Sequence, residues 1–61
     1  MNQFAKNLIS ISRTQSRLAK IYAKWAAEGG HRSDEYAVNA KRLARESTKH
    51  AELAEREMNN G

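Results

Sequence analysis

The sequence predicts an all-α fold, an antiparallel two-helix hairpin that dimerises into a four-helix bundle. Three observations lead there. The 61 residues lack proline and are rich in Ala, Lys, Arg, Glu, Gln and Leu, all good helix formers. Gly29-Gly30 is the only strong internal punctuation. On both sides of it, side chains of one size recur in alternating steps of four and three, the rhythm of a heptad seam.

One domain spans residues 1–61. Asn2 can cap the first helix, expected over about 3–28. Gly29 can sit just past the helix end with a positive φ that other residues resist. His31 and Arg32 follow as loop, and Ser33 is a good N-cap for a second helix over about 34–58. Asp34 and Glu35 place negative charge in its first turn, where the helix dipole favours it. Asn59-Asn60-Gly61 reads as a helix stop that frays. Each helix is about 37 Å long at 1.5 Å per residue.

Phe4, Leu8, Ile11, Leu18, Tyr22 and Trp25 form a large seam on the first helix, with Gln15 in its polar slot. Ala37, Ala40, Ala44, Ser47, Ala51 and Ala54, ending in Met58, form a small seam on the second. A short loop makes the helices antiparallel neighbours. Pairing the seams around the glycines sets large against small: Trp25 on Ala37, Tyr22 on Ala40, Leu18 on Ala44, Ile11 on Ala51, Leu8 on Ala54 and Phe4 on Met58. The two polar slots, Gln15 and Ser47, then share a layer and can hydrogen-bond. Under this register Ala44→Leu overpacks its layer against Leu18.

The first helix has a second stripe of small, uncharged residues: Ala5, Ile9, Ser12, Ser16, Ala19, Ala23 and Ala26. A lone hairpin this small buries little of its own surface. The stripe is therefore expected to be a dimer face, and Ala19→Glu to favour monomers. Ile21, Tyr36 and Leu43 form a smaller apolar patch near the turn.

Little in the chain can carry chemistry, and a non-enzyme is expected. Without cysteine there is neither a disulfide framework nor a thiolate metal site. His31 and His50 stand apart, with no His-x-x-x-His or Glu-x-x-His spacing. Gly29-Gly30 lacks the spacing and the lysine of a phosphate-binding loop. The helical serines have no obvious base beside them. No cofactor and no metal are implied.

Charge is more informative. The chain carries +4 overall, and Lys6, Arg13, Arg17, Lys20 and Lys24 lie on the first helix with no acid before residue 28. Arg42, Arg45 and Lys49 add positive charge on the second helix. Arg13, Arg17, Lys20, Lys24, Arg42, Arg45 and Lys49 are thus a candidate basic binding face, able to neutralise phosphates with release of counterions. Two helices of this length do not make a compact DNA-reading helix-turn-helix, which also needs a third helix. Docking on a protein needs no such motif, and charge would orient it. Because the basic stripe is intermixed with acids on the second helix, a small regulatory module working by protein–protein contact, with a partner the sequence does not identify, is placed ahead of an RNA- or DNA-binding regulator. Membrane binding is placed last, because it leaves the second helix without a role.

The length, the lack of cysteine and the helix–Gly29-Gly30–helix plan resemble short helical accessory proteins of bacteriophages and plasmids. In plan the chain is similar to Rop-like hairpins, which dimerise into a four-helix bundle and bind RNA. The likeness is one of architecture and transfers no functional residue. It implies a cytoplasmic regulator that acts by contact with a host protein or nucleic acid.

Overall fold

The computed structural model describes residues 2–60. Helix α1 runs Gln3–Glu28 and helix α2 runs Ser33–Asn60. They fold back on each other as a rod whose Cα atoms span 47 × 13 × 11 Å. The all-α hairpin expected from the composition is the observed fold. Neither helix is long and apolar enough to cross a membrane.

The helix ends follow from local chemistry. Asn2 caps α1 as expected: its extended backbone frees Oδ1 to accept from the Ala5 N–H at 2.7 Å. Helix α2 begins one residue before the expected start. The Tyr36 N–H donates to the Arg32 carbonyl, so Ser33 lies inside the first turn rather than capping it. At the other end α2 continues to Asn60, beyond the expected stop; the expected fraying at Gly61 falls outside the described residues.

Gly29 closes α1 by donating its N–H to the Ala26 carbonyl. Its backbone, at φ 87° and ψ −166°, lies in a region only glycine visits readily, which is more demanding than the left-handed helical cap expected. Gly30 also has a positive φ, 101°. A Cβ at either glycine meets no atom within 4 Å, so a side chain there costs backbone strain alone. Gly29→Ala is accordingly expected to destabilise the hairpin by about 1–3 kcal/mol, read as a lower melting temperature by circular dichroism.

The seam joining the helices differs from the one the sequence suggested. At mid-length the Ser12 hydroxyl donates to the Ser47 carbonyl at 2.8 Å, and the Ser47 hydroxyl donates to the Ser12 carbonyl at 2.8 Å. The two Oγ atoms lie 3.1 Å apart. Short serine side chains reach the opposite backbone only if the helices come close. The 13 Å width minus a Cα cylinder of ~4.6 Å leaves roughly 8 Å between axes, the short end of the usual range.

Steps of seven from this layer meet small residues on both helices. They are Ala5, Ser12, Ala19 and Ala26 on α1, and Ser33, Ala40, Ser47 and Ala54 on α2. The buried apolar residues are Ala5, Leu8, Ala19, Ala40 and Ala54, with Ala5 at 0% and Ala54 at 1% exposure. Small therefore faces small, and the expected large-on-small register is corrected. Gln15 does not share a layer with Ser47; it bonds Glu46 and His50 instead. Ala44 and Ala51, expected in the core, are exposed, while Ala37 is half-buried.

Candidate functional site

The heptad geometry of the small seam decides what lies on either side of it. Residues three after and four before a seam position share a flank. On one flank lie Leu8, Gln15 and Tyr22 from α1, with Tyr36, Leu43, His50 and Glu57 from α2. Their cross-helix contacts confirm the placement. Tyr22 and Tyr36 stack tilted at 5.8 Å between centroids, and Gln15 meets His50 at 2.8 Å.

Further out on this flank Phe4, Ile11, Leu18 and Trp25 repeat every seven residues along α1. These large side chains, expected as the hairpin core, stand in solvent: Phe4 is 57% exposed and Trp25 42%. Trp25 meets Tyr22 edge-on at 5.5 Å between centroids and Tyr36 at a tilt at 5.4 Å, building an aromatic trio at the loop end. Leu53 of α2 is exposed on the same flank toward the chain termini. The result is a long apolar face, widest at its two ends.

A polar waist crosses its middle. The Gln15 amide donates to Glu46 Oε2 at 2.9 Å. His50 Nδ1 lies 2.8 Å from Gln15 Oε1 and 2.9 Å from the Glu46 carbonyl oxygen. A carbonyl only accepts, so Nδ1 carries the hydrogen and Nε2 is left free of this network. These bonds tie Gln15, Glu46 and His50 together across the two helices between the apolar ends.

The stripe expected as the dimer face has a different role. Ala5 and Ala19 are buried in the hairpin's own seam, and Ser12 and Ala26 share that seam half-buried. Ile9 and Ser16 are half-buried beside the seam, and only Ala23 of the seven is exposed. Their small size lets α2 approach, so the property that suggested an outer interface is used inside the molecule.

The seven candidate basic residues are all exposed but do not share one face. Because the seams of α1 and α2 face each other, the backs of the helices point in opposite directions. Arg13, Arg17, Lys20 and Lys24 lie on the outer side of α1. Lys6, Arg13 and Arg17 line a shallow depression there with Ile9, Ser10 and Thr14. Arg42, Arg45 and Lys49 lie on the outer side of α2, where Arg42 donates to the Asn39 side chain at 3.1 Å. Arg45 and Lys49 line a depression together with Glu52, so positive potential there is partly cancelled.

Comparison with known proteins finds no matching family model, curated protein or solved structure. The functional reading therefore rests on the faces of this hairpin alone. Sequence reasoning located the large stripe but assigned it inward. The signal for the correct seam was the matched run of small residues at steps of seven on both sides of Gly29-Gly30.

Proposed function

We propose that the protein is a small non-enzymatic regulatory binding module that acts by protein–protein contact through the face carrying Phe4, Ile11, Leu18 and Trp25. The observation that carries this reading is the exposure of that whole stripe on a chain whose buried core is otherwise alanine and one leucine. Contiguous exposed apolar surface with a polar border is the mark of an interaction site. The aromatic trio supplies rigid anchors of the type that dominate binding energies.

The second reading, binding of RNA or DNA, draws on the acid-free basic back of α1. The two readings separate in one experiment. Binding to mixed DNA and RNA is measured at about 50 and 200 mM salt, where phosphate contacts weaken steeply. It is measured for the unaltered chain, for Ile11→Gln with Leu18→Gln, and for Arg17→Glu with Lys20→Glu. Protein contact through the apolar face predicts no nucleic-acid binding at the lower salt. Binding that collapses with salt, is lost in the charge-reversed variant and survives in the Ile11, Leu18 variant would replace this reading with the nucleic-acid one.

A further inference from the structure

We infer that the occupant of the apolar face is a second copy of this chain, turned end for end so that α1 lies antiparallel on α1. This rests on reading that face as a protein-contact surface and names its partner.

The surface area is the first argument. The chain exposes 4788 Å² for 6.9 kDa. A compact folded chain of that mass exposes about 4,000 Å². The excess, roughly 800 Å², is the area one partner contributes to a standard stable interface. Inside the hairpin, the buried residues offer little apolar surface to offset the ordering of the chain, and among the described residues no large side chain is fully buried.

The pattern along the face is the second argument, and it selects the geometry. Phe4, Ile11, Leu18 and Trp25 are spaced evenly about a point beside Gln15. A twofold axis through that point, perpendicular to the rod and lying in the face, sets Phe4 against Trp25 of the second copy and Ile11 against its Leu18. Large apolar then meets large apolar in every layer of the α1 pair. On the α2 side the same rotation brings Asn39 level with His50 of the second copy, Tyr36 with its Leu53 and Glu46 with its Leu43, next to its Arg42 at the rim. At the rim Glu35, at the loop end, comes to Arg56, at the terminal end. The waists meet at mid-rod, and at the border Glu35 meets Arg56 while Arg42 comes to Lys49.

The competing twofold runs along the rod and stacks α1 on α2 of the second copy. It lays Ile11 over Glu46 and Leu18 over Asn39, so polar side chains cover the apolar stripe of α1. Only the first rotation sets the large stripe of α1 on itself. An unrelated partner requires no such symmetry.

The chain has no cysteine, so introduced ones report alone. Ile11→Cys and Leu18→Cys chains are unfolded together, refolded and mildly oxidised. The end-for-end pair predicts cross-linked dimers in the mixture and almost none from either variant by itself. Two copies of position 11 lie seven residues apart along the rod, about 10 Å, beyond the reach of a disulfide. The unaltered chain is followed in parallel by sedimentation equilibrium and by emission of Trp25, its single tryptophan. The expected result is a mass of two chains at high concentration, with a blue shift of emission as the pair forms. Leu18→Gln should weaken self-association at least tenfold. Cross-linking of Ile11→Cys alone as strong as in the mixture would overturn the geometry. A single-chain mass at every concentration with unmoved Trp25 emission would overturn self-pairing. That outcome is separate from the nucleic-acid result that would replace the protein-contact reading.

Discussion

Ala19→Leu is expected to destabilise the hairpin by about 1–3 kcal/mol, the usual cost of forcing extra methylenes into a packed site. Ala19 is 8% exposed and sits one heptad from the reciprocal Ser12–Ser47 layer, toward Ala40. At an axis separation of roughly 8 Å there is no room between the helices for an isobutyl group. The helices must separate, and separation also stretches the serine bonds next door. For a chain of this size each kcal/mol lowers the melting temperature by about 4–8 °C. Ala44→Leu supplies the contrast. The large-on-small register made Ala44 a core residue opposite Leu18, but its side chain is exposed. Leucine there should change stability by no more than about 0.5 kcal/mol. Melts are compared at one protein concentration, because self-association makes the melting temperature concentration-dependent. If Ala44→Leu proved the more damaging of the two, the seam described above would be wrong. Ala19→Glu changes meaning too: it places a charge inside the hairpin and unfolds it, rather than detaching two intact hairpins.

The two helices, the turn and the Asn2 cap were legible because each depends on local chemistry. Helix formers without proline set the segments, Gly29 supplies a backbone angle that side chains resist, and an Asn side chain reaches a nearby N–H. The pairing of the helices was not legible in the same way. Two stripes on α1 share the heptad rhythm, one position apart, and periodicity does not say which of them turns inward. The rule that large apolar residues go inside favoured Phe4, Ile11, Leu18 and Trp25. That rule holds for a chain whose only burial is within itself. Here the close approach permitted by Ala5, Ser12, Ala19 and Ala26, matched by Ser33, Ala40, Ser47 and Ala54, determines the hairpin seam. Gln15 and Ser47 misled for a related reason. Both are polar and both point toward α2 or α1, but Gln15 is long enough to reach around to Glu46 and His50 on the flank. Ser47 is short and can only meet what lies directly across the seam, which is Ser12. The basic residues were legible as exposed, but their division between two opposite backs follows only once the seam is known.

Ser47→Val should be more damaging than the loss of one hydrogen bond. Alanine at this position removes the hydroxyl and costs about 0.5–1.5 kcal/mol, the net worth of a typical intramolecular bond. Valine removes the hydroxyl and also places a branched side chain where two backbones nearly touch, adding about 1–3 kcal/mol of overpacking. The sum, roughly 1.5–4.5 kcal/mol, is large against the marginal stability of a small domain. The double variant Ser12→Ala with Ser47→Ala distinguishes bonding from space. It removes both hydroxyls, whose hydrogen bonds end on carbonyls of the opposite helix, and leaves the seam narrow. The pair should cost less than the two single changes added together, because the two Oγ atoms also meet each other at 3.1 Å and either single change already removes that shared contact. Chemical denaturation of the unaltered chain, the two single alanine variants and the double gives that coupling directly. Positive coupling with a severe Ser47→Val defect places the stability of the seam in close approach and makes the serine pair the device that fixes register. Additive alanine losses with a mild Ser47→Val would mean that the helices have room to spare, and the small-on-small seam would no longer explain why the large stripe is left facing outward.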